Sequence, residues 1–502
     1  MLAALTACGG GDTGSTSGDG GDGGNTQVAS GTIIGFGSVI VNGIEFSRKS
    51  GLADDRVNLR FENNTSAGEN NLRIGMNVTI KGTINNATGK GEYESIEFQP
   101  ELRGPLDVGG IDTSTNTLTV MGRKVQVAGN TSFDSGISSL SDINQAGNNP
   151  ELEISGNLDT STGVLNATRI ARKALDFNAL ADKSVQIKGK IASSSVVSGA
   201  NSGSFTIGST TINFSAAALG SNTAGADLAT GTVVEVKGVL NGSVITASRI
   251  EKKNAVDAGV NDTVKLKGTA NGSVVNNTFT INGPNGAITI NTAAATFQKG
   301  GAAATAAIVA PGTTLEVEGI LRADGSVAAT KVYLEVEKTV MVEGNAAAGA
   351  FNSTTKTLTL NGVPVIIGAS TRLLDKDGLA LDPVNIAAGD HLQVSGVIDS
   401  TTGKVNASQV QRTKGSNLTF IQGPVTAIDT TAKTLTLIGI IKVTTDTTTA
   451  AFDNRTGTST PITAPFPFLT SITTDGFTVV KVKGTVTGTT LSASELEFEQ
   501  TQ

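Results

Sequence analysis

A strand–glycine–strand signature recurs six times in this chain and commits it to an array of like units. Its instances are Val78-Thr-Ile-Lys-Gly82, Leu152-Glu-Ile-Ser-Gly156, Val234-Glu-Val-Lys-Gly238, Leu315-Glu-Val-Glu-Gly319, Leu392-Gln-Val-Ser-Gly396 and Val480-Lys-Val-Lys-Gly484. The alternation before each glycine is the period of a half-buried strand. The glycine marks a bulge or sharp bend, as at a barrel corner. About ten residues on comes a second shared segment: Asn166-Ala-Thr-Arg-Ile170, Thr246-Ala-Ser-Arg-Ile250, Ala328-Ala-Thr-Lys-Val332, Asn406-Ala-Ser-Gln-Val410 and Ser492-Ala-Ser-Glu-Leu496. The first repeat offers only the looser Glu94-Ser-Ile-Glu-Phe98. Upstream lies a strand–turn–strand segment such as Leu118-Thr-Val-Met-Gly122-Arg-Lys-Val-Gln-Val127.

Five or six short strands in each unit, with one buried face and bend glycines, predict an all-β fold. The expected architecture is a tandem array of about six small OB-like β-barrels, since closure hides sheet edges. Predicted limits are 29–103, 104–173, 184–253, 262–338, 339–414 and 417–500. Each unit is expected to own its core and to touch its neighbours little. No window keeps a 3.6-residue apolar period, and Ala302–Ile308 fits a single helical turn.

The first eight residues carry an address. Leu5-Thr6-Ala7-Cys8 ends a short apolar run in small residues, as a secretory signal does, and it resembles the lipobox of bacterial lipoproteins. That resemblance makes 1–8 a signal-peptide remnant and lipobox and implies that Cys8 receives the lipid and becomes the N-terminus after cleavage before it; the alternative is a buried cysteine. The run lacks a basic n-region, so part of the signal is expected to lie upstream of the start as given. Acyl chains, each worth about 0.8 kcal/mol per buried methylene, would anchor the protein stably. Gly9 rather than an aspartate follows Cys8, which by the same resemblance implies the outer membrane, on the periplasmic side or at the cell surface. Residues 9–28, rich in Gly, Ser and Asp, read as a disordered tether. Asp12, Asp19 and Asp22 match no calcium-loop spacing.

Beyond the tether, Gly31-Thr-Ile-Ile-Gly-Phe-Gly37-Ser-Val-Ile-Val-Asn-Gly43-Ile-Glu-Phe46 and Leu72-Arg-Ile-Gly-Met-Asn-Val-Thr-Ile-Lys-Gly82 resemble the bacterial domain of unknown function 5666. The Leu102-Arg-Gly-Pro105 junction and the later Leu-Thr-Val segments do too. The resemblance implies tandem small β-barrels on exported lipoproteins. It implies no activity and transfers no catalytic residue.

Composition narrows the chemistry. One histidine and one cysteine exclude any site needing two of either, including His/Cys zinc centres, CxxC redox pairs and disulfide frameworks. A net charge of −7 argues against nucleic acid as a partner. His391 follows Asp390 at a turn into a strand and reads as a surface histidine rather than a catalytic one. Glu235 and Glu316 occupy outward strand positions, where carboxylates usually serve solvation and edge protection. Asp375-Lys-Asp377-Gly378 reads as a turn, too short for a calcium loop. Phe133, Phe205, Phe279 and Phe297 fall inside strand patterns and are expected in cores. The repeated residues read as strand and turn makers, with no polar set reappearing in each unit.

The chain is therefore expected to be no enzyme and to need no metal or cofactor. The leading expectation is a non-catalytic, lipid-anchored envelope protein whose repeats scaffold or bind a protein partner. The alternatives are a surface adhesin or polysaccharide-binding module, which needs clustered exposed aromatics, and a carboxylate-based envelope hydrolase, which needs two carboxylates converging in a cleft.

Overall fold

The computed structural model describes residues 27–498 except 37–38, 43, 53–56, 60–63, 86–89, 135–136, 138, 144–148, 196–200, 335–338, 369–370, 377–378, 400–401, 414–418, 454–459, 463–464, 473 and 475–477. It is all-β, built of small barrel-like sheets in tandem. The segment from 102 to 174 shows the plan, with strands Leu102–Asp112, Thr117–Val120, Arg123–Asp134, Glu151–Leu158 and Leu165–Ala174. The first pairs antiparallel with the second and the second with the third. The third runs parallel to the fifth, the fifth antiparallel to the fourth, and the fourth antiparallel to the first, so the ring closes. The same closure recurs from 184 to 252. It also recurs from 263 to 334. Between 339 and 412 the first strand is split into Thr339–Asn345 and Phe351–Asn352, and its second piece reaches the second strand.

The signature glycines have one structural cause. In the ring just described, Gly156 stands opposite Ala167 at a register shift between the fourth and fifth strands. Gly238 and Ala247, Gly319 and Ala329, Gly396 and Ala407, and Gly484 and Ala493 repeat that arrangement. A Cβ at any of these glycines would lie closer than 3.0 Å to a carbonyl oxygen of the fifth strand. The two shared sequence segments are thus the two sides of one bulge, where the backbones approach too closely for a larger residue. In the first repeat Tyr93 replaces the alanine opposite Gly82. Of the alanine-rich stretch expected to form a helical turn, only Ala306–Ile308 does so, as a 3-10 helix, whereas Ala302–Ala304 is a strand.

The expectation of separate cores fails for the second with the third unit and for the fifth with the sixth, while the first and fourth keep apolar clusters of their own. Over its N-terminal half, the outer edge of each first strand is not reached by its own second strand, and there it pairs with the first strand of another unit. Arg103 and Leu102 pair with Gln186 and Ile187, antiparallel. Met341, Val342 and Glu343 pair with Gln422, Ile421 and Phe420, antiparallel. Val28, Ala29 and Ser30 pair with Val264, Lys265 and Leu266, parallel, across more than two hundred residues of chain. One apolar cluster consequently runs from Leu102 to Ile250 and another from Val340 to Phe498. The strand Gln27–Gly35 lends Val28 to the core around Val264 and keeps Ala29 and Ile33 for its own. It begins two residues inside the stretch read as tether.

Candidate functional site

Several polar strand positions that read as solvated in the sequence are buried. Glu235 and Glu316 are 3% and 4% exposed, so they are not solvating outward positions. Both stand in fourth strands whose apolar alternates fill the barrel core; Glu235 is covered by Gln99 and Lys253, and Glu316 by Lys265 and Tyr333 of its own unit. Across the strands the register aligns Arg103, Glu153 and Ala171; Lys188, Glu235 and Glu251; Lys267, Glu316 and Tyr333; Glu343, Gln393 and Gln411; Gln422, Lys481 and Glu497. Polar residues recur at these register positions, but their identities change from unit to unit and Ala171 takes one of the places. In three of the units a cation of the first strand faces a glutamate of the signature (Arg103–Glu153, Lys188–Glu235 and Lys267–Glu316), and the alternation hid this because polar alternates read as solvated.

His391 is the second correction. It is 2% exposed, at the start of strand His391–Ile398, not a surface turn residue. Its Nδ1 lies 2.8 Å from Asn345 Oδ1 and its Nε2 lies 3.0 Å from Glu343 Oε1. Gln393 Nε2 donates to the other oxygen of Glu343 at 2.9 Å. The carboxylate is fully engaged within the barrel wall, which makes this a structural knot.

The feature most like a site lies where the first four repeats meet. Ser30, Asn77, Thr79, Glu97, Gln99, Glu101, Lys188, Lys253, Asp257, Pro284 and Asn285 line a small cleft that is open to solvent. Glu101 precedes strand Leu102–Asp112, Lys188 stands in strand Ser184–Ser194, and Asn285 sits in the turn between Thr278–Gly283 and Gly286–Asn291. Lys188 Nζ donates to Asn285 Oδ1 at 2.9 Å and lies 3.3 Å from Glu101 Oε1. Gly156 N donates to Glu101 Oε2 at 2.9 Å. Asn285 Nδ2 donates to Asn254 O at 3.0 Å and to Asp257 Oδ2 at 3.1 Å. Lys253 Nζ bridges Asp257 at 3.4 Å and Glu235 at 3.8 Å, and Gln99 donates to Glu235. Burial pushes the carboxyls of Glu101 and Glu235 above the usual range, although Lys188 opposes this at both. A buried amine, a carboxamide and a proton-accepting carboxyl therefore stand in mutual contact. Sequence reading missed them, since their positions are far apart in the chain.

A second junction is built on arginines. Arg169 bridges Asp134 at 2.7 Å and Glu153 at 2.9 Å, and Arg73 approaches Asp134 at 3.8 Å. Arg372 lies over the Phe36 ring at 3.7 Å and donates to Glu69 O at 2.9 Å and to Leu72 O, tying the fifth repeat to the first. Burial, with Arg73 nearby, lowers Arg372 to about 10. Arg123 is also buried, which lowers it to about 10, and its Nε and Nη2 have no hydrogen-bond partner.

Cys8, the proposed lipid site, lies outside the described residues, as do Asp12, Asp19, Asp22, Asp377 and Gly378. Asp375 accepts from Leu379 N at 2.8 Å, as a turn requires. Phe205 and Phe279 are buried, and Phe133 and Phe297 pack against the same cores. Among the described residues, no group of three or more His, Cys, Asp and Glu could hold a metal ion. Among them, too, no helix is long and apolar enough to cross a membrane.

No curated protein matches the chain. The family model does match, over residues 104–171, 185–251, 267–333 and 343–411. The segment at 31–82, on whose residues the resemblance first rested, lies outside these ranges. The four matched segments share the closed pairing described above and together span more than half of the sequence, so the chain belongs to the family described as Domain of unknown function (DUF5666).

Proposed function

We propose that the chain is a non-catalytic, lipid-anchored scaffold of the cell envelope, made of six OB-like barrels. It is held to the outer membrane through Cys8 and presents the barrel ends to a protein partner. The strand order of each ring, first–second–third–fifth–fourth and back to first with third and fifth parallel, is that of the five-stranded Greek-key barrel, and it supports the OB-like assignment. The observation that carries the scaffold reading is the pairing of first strands. Backbone ladders between barrels fix their mutual orientation far more stiffly than flexible joints would. The strongly exposed large apolar side chains of the described residues, such as Val108, Leu379 and Val384, are all aliphatic, which weakens the sugar-stacking alternative.

Two measurements test the reading. A fatty-acid probe should label the protein expressed with its full upstream signal, and label that persists in Cys8→Ser sinks the anchor. Chemical cross-linking in the native envelope should place one protein partner on the turns of at least two barrels. Turnover of an ester, glycoside, peptide or phosphoester by the purified protein, abolished by a single Asp or Glu substitution, overturns the scaffold.

A further inference from the structure

The cleft between the first four repeats contains the components of a covalent bond. We propose that Lys188 and Asn285 become joined by an amide between Nζ and Cγ, formed with loss of ammonia and promoted by Glu101. Lys188 and Asn285 are each 5% exposed and Glu101 2%, so water competes poorly at all three. The amine already rests 2.9 Å from the carboxamide oxygen, with the carboxyl 3.3 Å from the same nitrogen. The three side chains come from three different units: Lys188 from a paired strand, Glu101 from the residue before one, and Asn285 from the tight turn between two. An amide is a poor electrophile. An amine held against it for the lifetime of the fold nevertheless gains an effective concentration of about 10⁵ M or more.

The protons can be followed. In a buried contact a neutral amine and carboxylic acid compete well with the ion pair, because both charges lose hydration. Burial favours the protonated form of Glu101. The Lys188 ammonium gives one proton to Glu101, and the freed lone pair forms the Nζ–Cγ bond as charge moves to Oδ1. A second proton passes from Nζ to Nδ2, the Cγ–Nδ2 bond breaks, and the carbonyl reforms. The leaving nitrogen departs as ammonia, takes the proton from Glu101 and becomes ammonium. Asp257 Oδ2 and Asn254 O already hold Nδ2 at 3.1 and 3.0 Å and steady it as it leaves. The product closes a 97-residue loop between the third and fourth repeats. Covalent locking of this junction goes beyond the scaffold reading, because it would occur whether or not a partner binds.

Peptide mass mapping of the purified full chain decides the matter. The expected result is a branched peptide joining Lys188 to Asn285, lighter by one ammonia than the sum of its two parts, with no tryptic cleavage at Lys188. Lys188→Arg and Glu101→Gln should each return two linear peptides of unmodified mass. Linear peptides from the unsubstituted chain, cleaved at Lys188, overturn the proposal. So does an ammonia loss that persists in Lys188→Arg, since Asn285-Gly286 can also lose ammonia by closing a succinimide on its own backbone.

Discussion

Single residues set the architecture through backbone contact. Gly238 faces Ala247 at the bulge, and a side chain there would strike Thr246 O and the Ile245 side chain. Gly238→Val should therefore cost about 1–3 kcal/mol through overpacking. The damage should spread through the shared core from 102 to 252 and spare 339–498. Hydrogen exchange checks this, and protection lost only from 184 to 252 would contradict the shared core. Glu153 makes a pH prediction. Burial alone would raise its carboxyl, but Arg169, Lys173 and Arg103 outweigh burial and hold it below the ordinary value of 4.5. A lowered folded value contributes stability above pH 4.5 that is lost as pH falls through and below it. Glu153→Gln should remove about 3 kcal/mol at neutral pH by leaving Arg169 half-paired, and should flatten the acid limb of denaturation midpoint against pH. Glu101 has the opposite sign, since its raised value costs stability as pH climbs above 4.5.

Elements explain what the sequence could and could not reveal. The strands, the bulge glycines and the core phenylalanines were legible because period-two alternation and a glycine that tolerates no Cβ are local properties. The two faces of a strand were not equally legible. Leu152, Ile154, Val234 and Val236 announce the core, whereas Glu153 and Glu235 look the same in sequence whether water or other side chains cover them. His391 was misplaced for the same reason, since its burial depends on Glu343 and Asn345 in a strand more than forty residues earlier. The cleft was wholly illegible, because Glu101, Lys188 and Asn285 meet only after strands distant in the chain have paired. Contacts between elements can be tested one at a time. Arg372, at the strand Arg372–Leu374, is the clamp on the 3-10 turn Glu69–Asn71 and on Phe36. Arg372→Ala should raise hydrogen exchange at 69–77 by at least tenfold and leave 420–498 unchanged. Equal protection in both proteins would show that the clamp contributes nothing to the junction.

At the scale of the molecule, the first strands account for the whole assembly. Each has one stretch of outer edge that its own second strand does not reach, and an exposed edge of that kind recruits other strands. Sequence neighbours satisfy one another at Arg103 with Gln186 and at Val342 with Ile421. The strands beginning at Gln27 and Thr263 have no such neighbour, and they pair across the chain in parallel. This long pairing folds the array back on itself and brings together the four units that line the cleft. Val28 is its apolar key, 2% exposed and seated in the core around Val264. Val28→Asp would place a charge in that core, where burial of an unpaired carboxylate costs several kcal/mol. The ladder should open while each barrel keeps its own fourth and fifth strands. Two edges would then be free, at 28–30 and at 264–266, and free edges pair between molecules. The expected outcome is loss of hydrogen-exchange protection confined to those stretches, together with concentration-dependent self-association in sedimentation velocity. A Val28→Asp chain that stays monomeric with both stretches protected would mean that the parallel ladder does not hold the array closed.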